Sequence, residues 1–153
     1  MTTPINISVF QEYTALILNL LYRSFPNPIS LDVKEIGKEM VDSLEISEEE
    51  KTRILDKDSI NAMRFLAKEE FLEYHSDQIN LDQPETLFMD SVLTLKGLTV
   101  LGAVPDEINE AIDRRPIIDQ LSDALNDRAR TALGEVIEKI FLRALTISSS
   151  ISF

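Results

Sequence analysis

The stretch from Asp56 to Leu93 constrains this chain more than any other. It opens with "SINAMRFLAKEE", where Ile60, Met63 and Ala67 recur at helical spacing and leave a polar row on another side. Threes and fours are the period at which side chains share one face of an α-helix. Directly after it come "FLEYHS" and "LFMDSVL", two runs rich in aromatic and aliphatic residues, separated by the polar "DQINLDQPET". Short runs of this kind, bounded by turn-forming residues, read as the strands of a hairpin. A helix that passes straight into a two-stranded ribbon leaves the ribbon one place to go, back over the elements that precede the helix.

Upstream, residues 8–24 read as a first helix with Ser8 as N-cap, a face of Val9, Tyr13, Leu16 and Leu20 widened by Ile17 and Leu21, and "FPNP" as its stop. "PISL" is a short extended piece, and Asp32 caps a second helix, "VKEIGKEMVDSL". Ser47 followed by Glu50 is a capping-box pattern and opens a further turn or two. Residues 56–70 form the helix described above. Downstream, Thr94 caps "LKGLTVLGA", and an acidic connector over 105–116 leads to one long amphipathic helix over 117–147, with 148–153 as a loose tail. The core is expected to draw on Leu16, Leu20, Ile36, Met40, Ile60, Met63, Leu66, Phe71, Val92 and Leu98. The expected fold class is mainly α with a small β-hairpin.

The order helix, short strand, helix, helix, hairpin resembles the winged-helix superfamily over residues 8–104. "PISLDVKEIGKEM" resembles the small strand leading into the second helix, "INAMRFLAKEEFLEY" the recognition helix entering the first wing strand, and "DSVLTLKGLTVLGAVP" the returning strand and closing helix. The resemblance implies a winged-helix-like domain with a long C-terminal helix appended. It also implies a recognition surface on helix 56–70, used in most members for DNA and in a sizeable minority for protein contacts; fold alone does not choose. Two departures from a DNA-binding member stand out. The link at 43–58 is long and acidic, and the wing carries no Lys or Arg.

Composition weighs on the same choice. Fifteen Lys and Arg against 27 Asp and Glu give a net charge of −12, which repels a polyanion. From Glu69 to Asp90 there are seven acids and no Lys or Arg, whereas residues 59–68 carry Arg64 and Lys68 and no acid. At about 100° per residue, Lys57, Asn61, Arg64 and Lys68 fall within roughly a 60° arc, where Asn suits adenine, Arg suits guanine, and all four suit phosphates. The plainer alternative is the solvated face that any half-buried helix has.

Other chemistry is thin. There is no cysteine, hence no disulfide, thiolate ligand or Cys nucleophile. His75 is the single histidine, flanked by Glu73 and Asp77, and reads as a wing-surface residue. Asp77, Asp82, Glu85 and Asp90 lack the spacing and glycine of a calcium loop. Four glycines build no phosphate-binding loop. No catalysis, cofactor or metal is expected. "MTTPINISVFQEY" has no basic start, "YTALILNLLY" is too short to span a bilayer, and a cytoplasmic setting is expected.

The C-terminal helix carries a second apolar row, Leu133, Ile137, Phe141 and Leu145, beside the row that closes the core. Surplus apolar surface of this kind points to a homodimer, with Ala129, Ala132 and Ala144 allowing close approach, unless the body of the domain covers both rows. The preferred reading is a non-catalytic homodimeric interaction module that binds another protein. The alternative is a sequence-specific DNA-binding regulator using helix 56–70 in a major groove.

Overall fold

Helix α1 (Ile5–Ser24) is the element the others pack around: its Val9, Tyr13, Ala15, Ile17, Leu18 and Leu21 are buried, and polar Glu12 and Thr14 are buried with them. In the computed structural model, which describes residues 3–75, 84–102 and 116–151, α1 begins at Ile5 and not at the expected Ser8. The reason is local. Pro4 leads the chain in, and its carbonyl accepts from Ile7 and Ser8 N–H at 3.1 and 3.0 Å, so Ser8 is already inside the helix.

Strand β1 (Ile29–Asp32) hands directly to α2 (Val33–Asp42), and the Asp32 carboxylate caps it by accepting from Lys34 N–H at 3.0 Å. Ser47 caps α3 (Glu48–Arg53), accepting from Glu50 N–H at 3.2 Å. The next segment departs from expectation. A π turn, Ile54–Asp58, joins α3 to α4 (Ser59–Lys68) without a break, and the Ser59 N–H reaches back to Ile54 O. The acidic link expected over 43–58 is therefore mostly helix. A π turn inserts one extra residue, which re-phases the two halves so that Ile54 and Ile60 both face the core.

α4 ends on a left-handed residue that is not glycine. Glu70 has φ 68°, Phe71 N–H bonds Leu66 O at 2.9 Å and Glu70 N–H bonds Ala67 O at 3.0 Å, the paired pattern of a Schellman stop. The chain turns from there into β2 (Leu72–His75) and returns as β3 (Leu87–Leu93). β1 joins these two, so the expected hairpin is part of a three-stranded antiparallel sheet in the order β1–β3–β2. Leu72 faces Leu93, Glu73 faces Val92 and Ile29 faces Ser91. Both ladders slip by one residue along β3, at Asp90 with φ 51°, which marks a bulge. The element order and sheet topology are compatible with a winged helix.

Thr94 locks the returning strand to the end of α4 and opens α5 (Leu95–Leu101). Its N–H bonds Phe71 O at 3.1 Å, its hydroxyl donates to Glu70 O, and the same oxygen accepts from Gly97 N–H at 3.0 Å. Lys96 Nζ adds a bond to Glu69 O at 2.9 Å. This junction sets the direction in which α4 presents its outer face.

The single helix expected over 117–147 is two, α6 (Ile117–Asn126) and α7 (Arg130–Ile151). The break is a second Schellman stop without glycine: Arg128 has φ 53°, Ala129 N–H bonds Ala124 O at 3.2 Å and Arg128 N–H bonds Leu125 O at 3.3 Å. α6 and α7 fold against each other and against α1. α7 also runs past 147, into the expected tail. Of the expected core, Ile60, Met63, Leu66 and Phe71 are buried, Leu16, Ile36, Met40, Val92 and Leu98 are partly so, and Leu20 is 37% exposed. The acidic connector lies almost wholly outside the described residues. Among those described, no helix is long and apolar enough to cross a membrane.

Candidate functional site

α4 buries Ile60, Ala62, Met63 and Leu66 against the core, which leaves Asn61, Arg64, Phe65 and Lys68 exposed. Lys57, also exposed, lies in the π turn, so regular helical spacing holds for the other three polar residues and not for it. Each residue of the expected polar row is thus on the surface. Lys34 pairs with Asp56 at 3.0 Å, Lys38 with Glu35, Lys51 with Glu48, Arg53 with Asp58, Arg128 with Glu39 and Arg130 with Glu12. Arg23 bonds Ser122, Lys139 bonds Gln120, Arg143 bonds the Val100 and Gly102 carbonyls, and Lys96 lies over the Phe71 ring. Among the described residues, Lys57, Arg64 and Lys68 are the Lys and Arg side chains without an ion pair, hydrogen bond or ring contact. Asp56 precedes the row, Asp58 follows its first member Lys57, and exposed Glu69 and Glu70 come after Lys68.

Beside the row lies an apolar groove of about 490 Å³ between α1 and α4. Ile7 and Phe10 form one wall, Ala62 and Phe65 the other, with Asn61 and Asp58 at the rim. The Phe10 ring meets Phe65 edge-on, centroids 5.3 Å apart, and stacks on Phe141 at 6.0 Å; Phe141 in turn tilts onto Phe71 at 5.8 Å. Phe65 is nevertheless 44% exposed. Sequence reasoning singled out the polar row and passed over Phe65. The available signal was an aromatic residue next to Arg64, away from the Ile60 and Met63 side.

A second pocket of about 320 Å³ opens between α1, α2 and the α6–α7 turn, over Leu16, Ile36, Met40 and Leu133. Its buried polar group is Glu12, 9% exposed, whose carboxylate accepts from Arg130 Nε at 2.9 Å. Burial pushes the Glu12 carboxyl above the usual range, and the Arg130 charge pulls partly the other way. Arg128 and Glu39 pair across the rim at 2.7 Å. Each acid here faces a base, and the pocket holds no histidine or cysteine.

The expected dimer row needs correction. Leu133 and Ile137 are buried in this chain's own core, and Phe141 is half-buried between Phe10 and Phe71. Leu145 alone of the four is open, at 65%, and its open neighbour is Leu142, at 64%. All four lie on α7, where a row spaced by fours drifts about 40° per step, so Leu145 sits about 120° around the helix from Leu133. Ala129 lies in that turn, Ala132 is exposed and Ala144 is buried. His75, Glu73, Glu85 and Asp90 are exposed, whereas Asp77 and Asp82 lie outside the described residues. Among the described residues no three His, Asp or Glu side chains gather as a metal site. Compared with protein-family models, curated proteins and solved structures, the chain matches none.

Proposed function

We propose that this protein is a non-catalytic interaction module that binds another protein through the outer face of α4 and the groove beside it. One observation carries the reading: a half-exposed aromatic, Phe65, lines an apolar groove, and the exposed face of the same helix carries unpaired Arg64 and Lys68. Aromatic residues and arginine in partly enclosed apolar surroundings dominate protein–protein binding energy. Phosphate contacts need no apolar groove.

Duplex DNA is the second reading, favoured by the outward placement of Lys57, Asn61, Arg64 and Lys68 on the helix that leads into the ribbon. A homodimer belongs to the preferred reading, and it rests on exposed Leu142 and Leu145 of α7 and not on the inner residues.

The two readings separate in one titration of fluorescent duplex DNA at about 50 mM salt. Non-specific DNA binding has Kd values of ~10⁻⁴–10⁻⁶ M even at physiological salt and tightens as salt falls. A regulator would bind at low micromolar concentration and weaken on Arg64→Ala; an interaction module leaves the anisotropy flat. Light scattering gives the dimer arm: twice the monomer mass for the wild type, and monomer mass for Leu145→Lys.

A further inference from the structure

The α1–α4 face can be assigned a kind of partner, an inference that rests on the protein-binding reading above. We propose that the groove between α1 and α4 takes an acidic amphipathic helix of another protein, with its apolar side chains on Phe65, Phe10 and Ile7 and its carboxylates along Lys57, Arg64 and Lys68. Shape supplies the first reason. Side chains of α1 and α4 line an open, mainly apolar groove, and a third helix fills a groove between two helices by setting its own ridge of side chains into it. α4 has ten residues and spans about 15 Å, so roughly three turns of a partner would cover it.

Charge supplies the second reason. On a chain of net charge −12, every other described Lys and Arg is engaged, most with a carboxylate of this chain. Of the bases left over, Arg64 and Lys68 lie on the α4 face next to Asn61, a lining residue of the groove whose charged lining residue is Asp58, and Lys57 lies in the π turn before α4. In regular helical geometry Arg64, Lys68, Asn61 and Phe65 follow one another around α4 over about 100°, so the cationic edge and the apolar wall adjoin. A partner of matching pattern carries an apolar stripe with acids on one side. A basic partner is disfavoured twice, because it meets like charge on α4 and leaves those bases unpaired. A phosphodiester chain satisfies the bases but offers nothing to the Phe65 and Ile7 walls.

The probe is a phage-displayed library of random 16-residue peptides, panned on the full-length protein and counter-panned on Phe65→Glu. Enriched peptides are then synthesised and titrated by anisotropy against the wild type, Phe65→Glu and Arg64→Glu/Lys68→Glu. The expected result is enrichment of sequences with apolar residues at i, i+3, i+4 and i+7 and a net negative charge. Their affinity should fall at least ~10-fold on Phe65→Glu, fall similarly on the charge reversal, and weaken with added salt. Enriched peptides that are neutral or basic yet lost on Phe65→Glu overturn the acidic partner and leave the protein-binding reading standing. No enrichment that depends on residue 65, or duplex DNA displacing the selected peptides from the wild type, overturns both. If Phe65→Glu fails to fold, the charge reversal at two exposed positions decides: unchanged affinity for the selected peptides sinks the proposal.

Discussion

Gly97→Ala tests the joint on which the whole surface assignment depends. Inside a helix, replacing glycine by alanine ordinarily stabilises by ~0.5–1 kcal/mol. At Gly97 a Cβ would overlap the Phe71 carbonyl oxygen and sit 3.0 Å from its carbon and 3.1 Å from Leu93 Cδ2. That oxygen is fixed, since it accepts Thr94 N–H at 3.1 Å where α4, β2 and α5 meet. Forced displacement in a packed core costs about 1–3 kcal/mol. Losing the Thr94 N–H bond and weakening its cap on Gly97 N–H add ~1 kcal/mol each. Set against the usual helix gain, the expected net loss is about 2–4 kcal/mol. Urea unfolding followed by far-UV circular dichroism reads it as a midpoint lowered by about 1–2 M, given a slope of ~2 kcal/mol/M. Gly102→Ala is the control, because the nearest atom to its Cβ is Thr99 O at 3.5 Å, and it should change stability by less than ~0.5 kcal/mol. A Gly97→Ala protein as stable as the wild type, or more so, would refute the close seating of α5 on the start of β2.

Arg128→Gly should stabilise the fold by ~0.5–1 kcal/mol, since glycine takes the left-handed conformation freely and the exposed pair to Glu39 contributes little; thermal unfolding should shift upward by a few degrees (about 2–4 °C per kcal/mol). Glu12→Gln should be more stable than wild type at pH 7. Burial raises the Glu12 carboxyl pKa, so the wild-type side chain favours folding in its protonated form, below the unfolded value, and loses that contribution as pH rises through the folded value. The advantage of Gln should therefore shrink as urea titrations are repeated at lower pH. Ile137→Ala should cost about 2–5 kcal/mol because the side chain is fully buried, whereas Leu145→Ala, on an open face, should cost a folded monomer less than ~0.5 kcal/mol.

The order of elements was legible because it is written in period and caps. Asp32, Ser47 and Thr94 each cap the helix their sequence context announced, and "FLEYH" and "LFMDSVL" pair as strands. Where reading failed, the signal was missing for a physical reason. α6 and α7 part at Arg128, and α4 stops at Glu70; both residues adopt the left-handed conformation that sequence normally marks with glycine. The apolar threes and fours simply continue across 126–130, because both arms of the helical pair face the same core. The π turn likewise has no residue signature, so α3 and α4 read as separated when they are one rod. The exposed polar row on α4 came from helix phase, while the groove next to it needed α1, which is distant in sequence and invisible to a local pattern.

Cross-strand nuclear Overhauser effects in a ¹⁵N,¹³C-labelled sample test the architecture most directly, because the ribbon holds α4 in place. Contacts are expected between the backbones of Leu72 and Leu93, Glu73 and Val92, and Ile29 and Ser91, with extended-chain shifts over Leu87–Leu93. Helical shifts over Leu87–Leu93 and no contact across those pairs would contradict it, and the α1–α4 groove would have no scaffold behind it.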